Sequence, residues 1–251
     1  GYDIYKFSVY EKKNILKRVF YFLLTQLALS CSNMYIVTSH SDKDFLIKRY
    51  YFLREKVVVL PNWVSKDFSK KIKDMKSRYD KKILTVGRLE EQKNLDKLVK
   101  IFSNSDIEID VIGSGNKQNE LQELAKKYKT KLNIFGNISH ENLSKMYEDY
   151  RIFVSTSLYE GNPKATLEAM GSGCLVIVSD IENNIEIINN KRDGLIHNFS
   201  NLLELVKEFI NNTNELDNFY NKAIQRIREN NSLDIIIDKE FELYSLLVPN
   251  N

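Results

Sequence analysis

Two glutamates separated by seven residues stand in the segment Glu160-Gly161-Asn162-Pro163-Lys164-Ala165-Thr166-Leu167-Glu168-Ala169-Met170-Gly171. The first falls in a loop. The second lies two turns into a helix expected to start near Pro163, where proline's fixed φ and missing N–H suit a first turn. Carboxylates accept hydrogen bonds from sugar hydroxyls, including the vicinal pair of a ribose, and the N–H groups of Lys164 to Thr166 can face a phosphate. A second constellation is cationic. In Gly87-Arg88-Leu89-Glu90-Glu91-Gln92-Lys93-Asn94, Gly87 lets the backbone turn close to a ligand, and Arg88 and Lys93 bracket a helix N-terminus. A forked guanidinium plus an ammonium suits a diphosphate, at about 1.5–3 kcal/mol per charge-assisted hydrogen bond. Taken singly, each pattern has an ordinary explanation: exposed cations beside a helix start, and a surface or capping glutamate.

Both groups become informative through the elements that must position them. From residue 83 onward, short β-branched runs alternate with helical stretches. Strands are expected at 83–87, 107–112, 132–135, 152–155 and 175–178, and helices at 94–102, 120–128, 140–150, 163–171 and 185–189. This alternation predicts βαβ units around a parallel sheet, an α/β, Rossmann-like domain over roughly 79–212 with helices on both faces. Such a sheet binds ligands at the carboxyl ends of its strands, where the strand order reverses. Gly87 follows one strand and Glu160 another, so both chemical groups fall at such ends. Upstream, a helix over 12–31, strands at 34–38 and 56–60 and a helix opening after Ser41 read as part of a second α/β domain. The lysine-rich stretch 65–81 reads as a linker with a boundary near residue 78, and 213–251 as C-terminal helices.

Together these segments resemble glycosyltransferase family 4, retaining enzymes of the GT-B fold. The resemblance rests on Val86-Gly87-Arg88-Leu89 with Lys93-Asn94, and on Glu160-Gly161-Asn162-Pro163-Lys164 with Leu167-Glu168-Ala169-Met170, in order and spacing. It extends through Ser179-Asp180-Ile181, Glu186-Ile187-Ile188 and Asp193-Gly194-Leu195, and upstream through Ile36-Val37-Thr38-Ser39 and Val59-Leu60-Pro61-Asn62-Trp63-Val64. It implies that Arg88 and Lys93 hold the diphosphate of a nucleotide-sugar donor and stabilise its charge as the glycosidic bond breaks. It places Glu160 by the transferred sugar and Glu168 on the ribose. Gly136, Asn137 and Ile138 would edge the base, and main-chain groups around Gly161, Asn162, Pro163 and Lys164 would complete the phosphate and sugar contacts. A UDP- or GDP-sugar is then substrate, with neither cofactor nor metal. The acceptor expected is a glycan or lipid-linked glycan of bacterial surface polysaccharide synthesis. The family's usual Gly-Gly after the Ser-Asp-Ile turn is replaced by Glu182-Asn183-Asn184, with asparagine expected to keep the turn by tolerating positive φ. A full enzyme of this kind carries a first domain of which residues 1–78 match only the last part.

Composition bounds the alternatives. The 251 residues carry a net charge of +3, too mild to imply nucleic acid, and two isolated cysteines and three histidines form no disulfide framework or metal motif. Those cysteines fit a reducing, cytoplasmic setting. The apolar run after Lys12–Arg18 is too short to span a bilayer and reads as a packed helix, with peripheral contact at the inner membrane face as a further expectation. Gly113-Ser114-Gly115 suggests a dinucleotide fingerprint, but residue 118 is Gln where the third glycine belongs, which argues against an oxidoreductase. Two rivals stay open: a non-catalytic nucleotide-sugar-binding module, and a sugar phosphorylase of similar architecture.

Overall fold

Strands buried between two layers of helices must be apolar on both faces, and the sequence supplies such runs repeatedly. The computed structural model describes residues 14–68 and 73–245. They form two compact units, one of residues up to Asn62 with those from Ile236 onward, the other Trp63–Ile235.

The smaller unit holds α1 (Ile15–Ser30), β1 (Tyr35–Val37), α2 (His40–Arg49) and β2 (Val57–Val59), with β1 and β2 paired in parallel. Asn14 caps α1 by accepting from the Lys17 N–H at 3.0 Å. Ser39 caps α2 through the Asp42 N–H at 3.1 Å, so that helix opens ahead of the start expected after Ser41. Leu29, Val37, Leu46, Tyr50, Leu53 and Val57 form its core. Along α1, Ile15, Leu16, Phe20, Leu23 and Leu27 are exposed. Among the described residues no helix is long and apolar enough to cross a membrane.

The larger unit is built on a six-stranded sheet, every strand parallel to its neighbours, in the order β5-β4-β3-β6-β7-β8. The strands are β3 (Tyr79–Val86), β4 (Glu108–Ile112), β5 (Lys131–Ile134), β6 (Tyr150–Ser155), β7 (Leu175–Ser179) and β8 (Leu195–His197). The helices are α3 (Leu95–Ile101), α4 (Gln118–Tyr128), α5 (His140–Tyr147), α6 (Lys164–Gly171), α7 (Glu182–Ile187), α8 (Leu202–Asn211) and α9 (Thr213–Asn230); α10 (Leu233–Ser245) crosses the division between the units. Side chains alternate across the sheet. Ile83, Ile109, Ile152, Val154 and Ile177 pack with Leu98, Leu121 and Val206 in one cluster, while Leu84, Phe153, Val176 and Val178 pack with Tyr147, Leu167, Met170 and Ile227 in the other. Each such side chain contributes about 1.5–3 kcal/mol by leaving water.

The division between Asn62 and Trp63 precedes the boundary expected near residue 78. The physical reason is that Val64, Phe68 and Met75 are buried in the larger unit's two clusters, which a lysine-rich composition concealed. Likewise α9 carries Leu216, Ala223 and Ile227 into those clusters and packs against α6. Edge strand β8, three residues long, adds to the strands expected from the sequence.

The chain order runs from β3 outward to β5, then returns to the other side of β3 at β6. The sheet's reversal point therefore lies between the carboxyl ends of β3 and β6.

Candidate functional site

The crevice at that reversal point is made by two loops that bond to each other. Leu158 N–H donates to Gln92 O at 2.9 Å, Gln92 Nε2 to Tyr159 O at 2.9 Å, and Thr156 Oγ1 to Lys93 O at 2.9 Å. The segments carrying the cations and the first glutamate thus form one body. Asn94 adopts a left-handed φ of 51° between the short turn Glu91–Lys93 and α3, which swings Lys93 back over the strand end. Gly87 makes room for it: a Cβ there would sit 2.8 Å from Lys93 Cε. Thr85, Gly87, Lys93, Ser155, Thr156 and Ser157 line a small recess at this point.

Lys93 Nζ meets Glu160 Oε1 at 2.5 Å, with the two side chains only 20% and 9% exposed. This charge-assisted contact places an ammonium and a carboxylate together at the mouth of the recess. Arg88 is placed differently. Its guanidinium is exposed and reaches Glu90 Oε1 at 3.2 Å. Surface pairs of this sort are worth about 0–1 kcal/mol, so the arginine is readily freed from Glu90.

Glycines in the neighbouring loop explain the false fingerprint. A Cβ on Gly113, whose φ is +140°, would lie 2.0 Å from Gly87 O, and one on Gly115 would lie 2.4 Å from Leu89 O. They allow the backbones after β3 and β4 to lie side by side, tied by Gly87 N–H to Ile112 O at 2.9 Å and Leu89 N–H to Ser114 O at 3.0 Å. Gly113 N–H in turn donates to Gly136 O at 2.8 Å, which sets the start of the Gly136-Asn137-Ile138 loop, with Gly136 at φ +70°.

Glu168 occupies a different environment, on the buried face of α6, 5% exposed. Burial raises its pKa to about 7, against the opposing influence of the Lys164 ammonium and of Tyr147. The Tyr147 hydroxyl donates to Ala165 O at 3.1 Å. The Lys164 ammonium stands 4.2 Å from the ring centroid of Trp63. His140, the first residue of α5, brings Nε2 to 3.8 Å from Glu168 Oε1 and sets its ring edge against Phe68 at 4.7 Å. The sequence did not single out His140; its place two residues beyond Ile138 was the one available signal. At the start of α6, Thr166 N–H donates to Pro163 O at 3.0 Å and its side chain is buried. The amide expected to face a phosphate is therefore engaged within the helix, leaving Lys164 and Ala165 as the first-turn donors.

The Glu182-Asn183-Asn184 substitution works otherwise than by positive φ. Neither asparagine takes a left-handed backbone; both belong to helix α7. Asn183 Nδ2 donates to Gly161 O, linking α7 to the Glu160 loop, and Asn184 Nδ2 donates to Ser179 O at 2.8 Å. Behind β6, His197 Nε2 contacts Ser155 O at 3.0 Å while its Nδ1 accepts from the Phe199 N–H at 3.1 Å. Those partners require a neutral ring protonated on Nε2, and burial accordingly lowers the His197 pKa. Among the described residues no group of three or more His, Cys, Asp or Glu side chains could hold a metal ion.

An open parallel sheet with helices on both faces, and with cations and carboxylates gathered at its reversal point, defines an α/β domain of the GT-B type. Residues 66–226 match the family model for glycosyl transferases group 1, and the chain belongs to that family. It is 27% identical over 256 residues to the UDP-Gal:alpha-D-GlcNAc-diphosphoundecaprenol alpha-1,3-galactosyltransferase of Escherichia coli, covering 94% of this chain and 61% of that protein. Sucrose-phosphate synthase from Thermosynechococcus elongatus shares the fold with a TM-score of 0.81 at 18% identity, over 94% of this chain and 63% of that one. S. aureus TarM, solved with fondaparinux, alpha-GlcNAc-glycerol and UDP, superposes with a TM-score of 0.73 at 22% identity, over 84% of this chain and 44% of its own. The chain thus spans about three-fifths of the length of its E. coli relative.

Proposed function

We propose that this chain carries the donor site of a retaining glycosyltransferase of family 4, which moves a hexose-like sugar from a nucleotide diphosphate to an acceptor hydroxyl. The observation that carries the proposal is the Lys93–Glu160 pair at the reversal point of the sheet. In it a phosphate-binding cation and a sugar-facing carboxylate stand side by side, as cleavage of a phosphate–sugar bond requires. Lys93 and Arg88 take the diphosphate, with the first-turn N–H groups of Lys164 and Ala165 adding donors. Glu160, released from Lys93 as the phosphate arrives, meets the hydroxyls of the sugar and the positive charge that develops at its anomeric carbon. Glu168 accepts from the ribose hydroxyls, and Gly136, Asn137 and Ile138 edge the base.

A uridine nucleotide is the donor we favour. The E. coli relative is named for UDP-Gal and TarM was solved with UDP. The acceptor in this proposal is a surface glycan, free or lipid-linked. The exposed apolar residues of α1 are the part we assign to peripheral membrane contact.

Calorimetric titration with UDP, GDP and ADP tests the site. Micromolar binding of UDP is expected, weakened about 10- to 100-fold by Lys93→Ala as one charge-assisted contact is lost, and less by Arg88→Ala. Equal UDP affinity in Lys93→Ala and the unsubstituted chain would remove the diphosphate from this crevice.

A further inference from the structure

His140 and Glu168 face each other at a distance that is too long for a direct bond and suited to one shared oxygen. An N–H···O bond spans about 2.7–3.2 Å, and these atoms are 3.8 Å apart. A hydroxyl oxygen about 2.8 Å from both would sit at the apex of a triangle closed by that separation, at a bent angle of about 85°. The carboxylate is held still: it is 6% exposed and lies on a helix whose residues are buried from Thr166 to Gly171. Tyr147 stands beside it with its hydroxyl directed to Ala165 O, and Lys164 lies over Trp63. The imidazole is held too, since Ser139 caps α5 by accepting from Asn142 N–H and the ring edge rests on Phe68. Unlike Glu168, His140 is half exposed, so Nε2 is reachable from outside. It also follows directly on the Gly136–Ser139 loop, the segment assigned above to the base.

We propose that His140 is a further recognition residue of the donor site, bracketing one ribose hydroxyl with Glu168 and selecting ribonucleotides over deoxyribonucleotides. The hydroxyl donates to Glu168 Oε1 and accepts from the His140 Nε2–H. A nucleotide lacking that hydroxyl leaves a buried carboxylate and an imidazole N–H without the oxygen that joins them, which is why the pair discriminates. This inference rests on the assignment of Glu168 to the ribose.

The test is calorimetric titration of UDP and GDP and their 2′-deoxy and 3′-deoxy counterparts. The proteins are the unsubstituted chain, His140→Phe, His140→Gln and Glu168→Ala. Phe keeps a ring on Phe68 without a donor, and Gln restores an N–H. The unsubstituted chain should bind one ribonucleotide at least several-fold more tightly than one of its deoxy forms. His140→Phe should weaken the ribonucleotide about three- to tenfold, leave that deoxy form unchanged, and so erase most of the preference. His140→Gln should recover part of it. An unchanged preference in both His140 variants, with Glu168→Ala abolishing it, would overturn the role of His140 while leaving Glu168 on the ribose. An unsubstituted chain that binds none of the nucleotides would overturn both. Thermal melting of each variant establishes that it is folded, and His140→Gln decides the question should His140→Phe fail to fold.

Discussion

Glu160 and Glu168 are the same residue type in one short segment, and the structure treats them in opposite ways. Glu160 has an ammonium at 2.5 Å, so its charge is compensated where the loops meet. Glu168 sits on the buried face of α6 with His140 Nε2 at 3.8 Å, and burial lifts its pKa to about 7 against the opposing charge of Lys164. A carboxylate paired with a lysine is ready to exchange that partner for a substrate's charge. One whose charge is costly to bury is stabilised when hydroxyl groups donate to it. Environment, more than residue type, sets the two apart.

The comparison can be broken at either glutamate. The largest effect belongs to Glu160→Gln in the complete enzyme assayed with its nucleotide sugar. Turnover should fall about 10²–10³-fold, because the amide cannot answer positive charge at the anomeric carbon, while nucleotide affinity stays within about threefold. Turnover that survives would reduce Glu160 to a structural partner of Lys93. A smaller effect, of the opposite sign for stability, belongs to Glu168→Gln. The Glu168 pKa is raised on folding from 4.5 to about 7. Its contribution to stability is therefore fully present below about pH 4.5 and is lost as pH rises through about 7. Urea unfolding should show Glu168→Gln gaining on the unsubstituted chain by roughly 2–3 kcal/mol between pH 5 and pH 8, at the expense of nucleotide affinity. A stability difference that does not move with pH would mean that Glu168 is no more protonated in the folded chain than in the unfolded one. His197 works against this trend, since its lowered pKa makes its contribution present above about pH 6.5 and lost as pH falls. Comparing variants at each pH cancels it.

Much of this was legible in the sequence, because apolar alternation and strand-end motifs are local signals. The helix order and the meeting of Gly87, Lys93 and Glu160 at one crevice follow from them. What stayed hidden depends on contacts between distant segments. Val64, Phe68 and Met75 are lone apolar residues among lysines, and only the sheet's clusters reveal them as core. Gly113 and Gly115 suggest a dinucleotide fingerprint that Gln118 argues against, and the reason they are glycines, the close approach of Gly87 O and Leu89 O, shows only in the structure. Asn183 and Asn184 read as turn residues until Gly161 and Ser179 supplied their partners. Arg88 and Lys93 read as one clamp, and the contacts they make instead, with Glu90 and with Glu160, carry no signal in the spacing. His140 carried no spacing signal, since its partner lies on another helix.

The central claim is that the crevice between β3 and β6 holds a nucleotide diphosphate with its ribose toward α6. A crystal structure of this chain with UDP tests it most directly. The expected result is a diphosphate oxygen within hydrogen-bond distance of Lys93 Nζ, Glu160 turned away from that lysine, and a ribose hydroxyl on Glu168. UDP bound elsewhere, or bound here with the Lys93–Glu160 pair still closed, would contradict it.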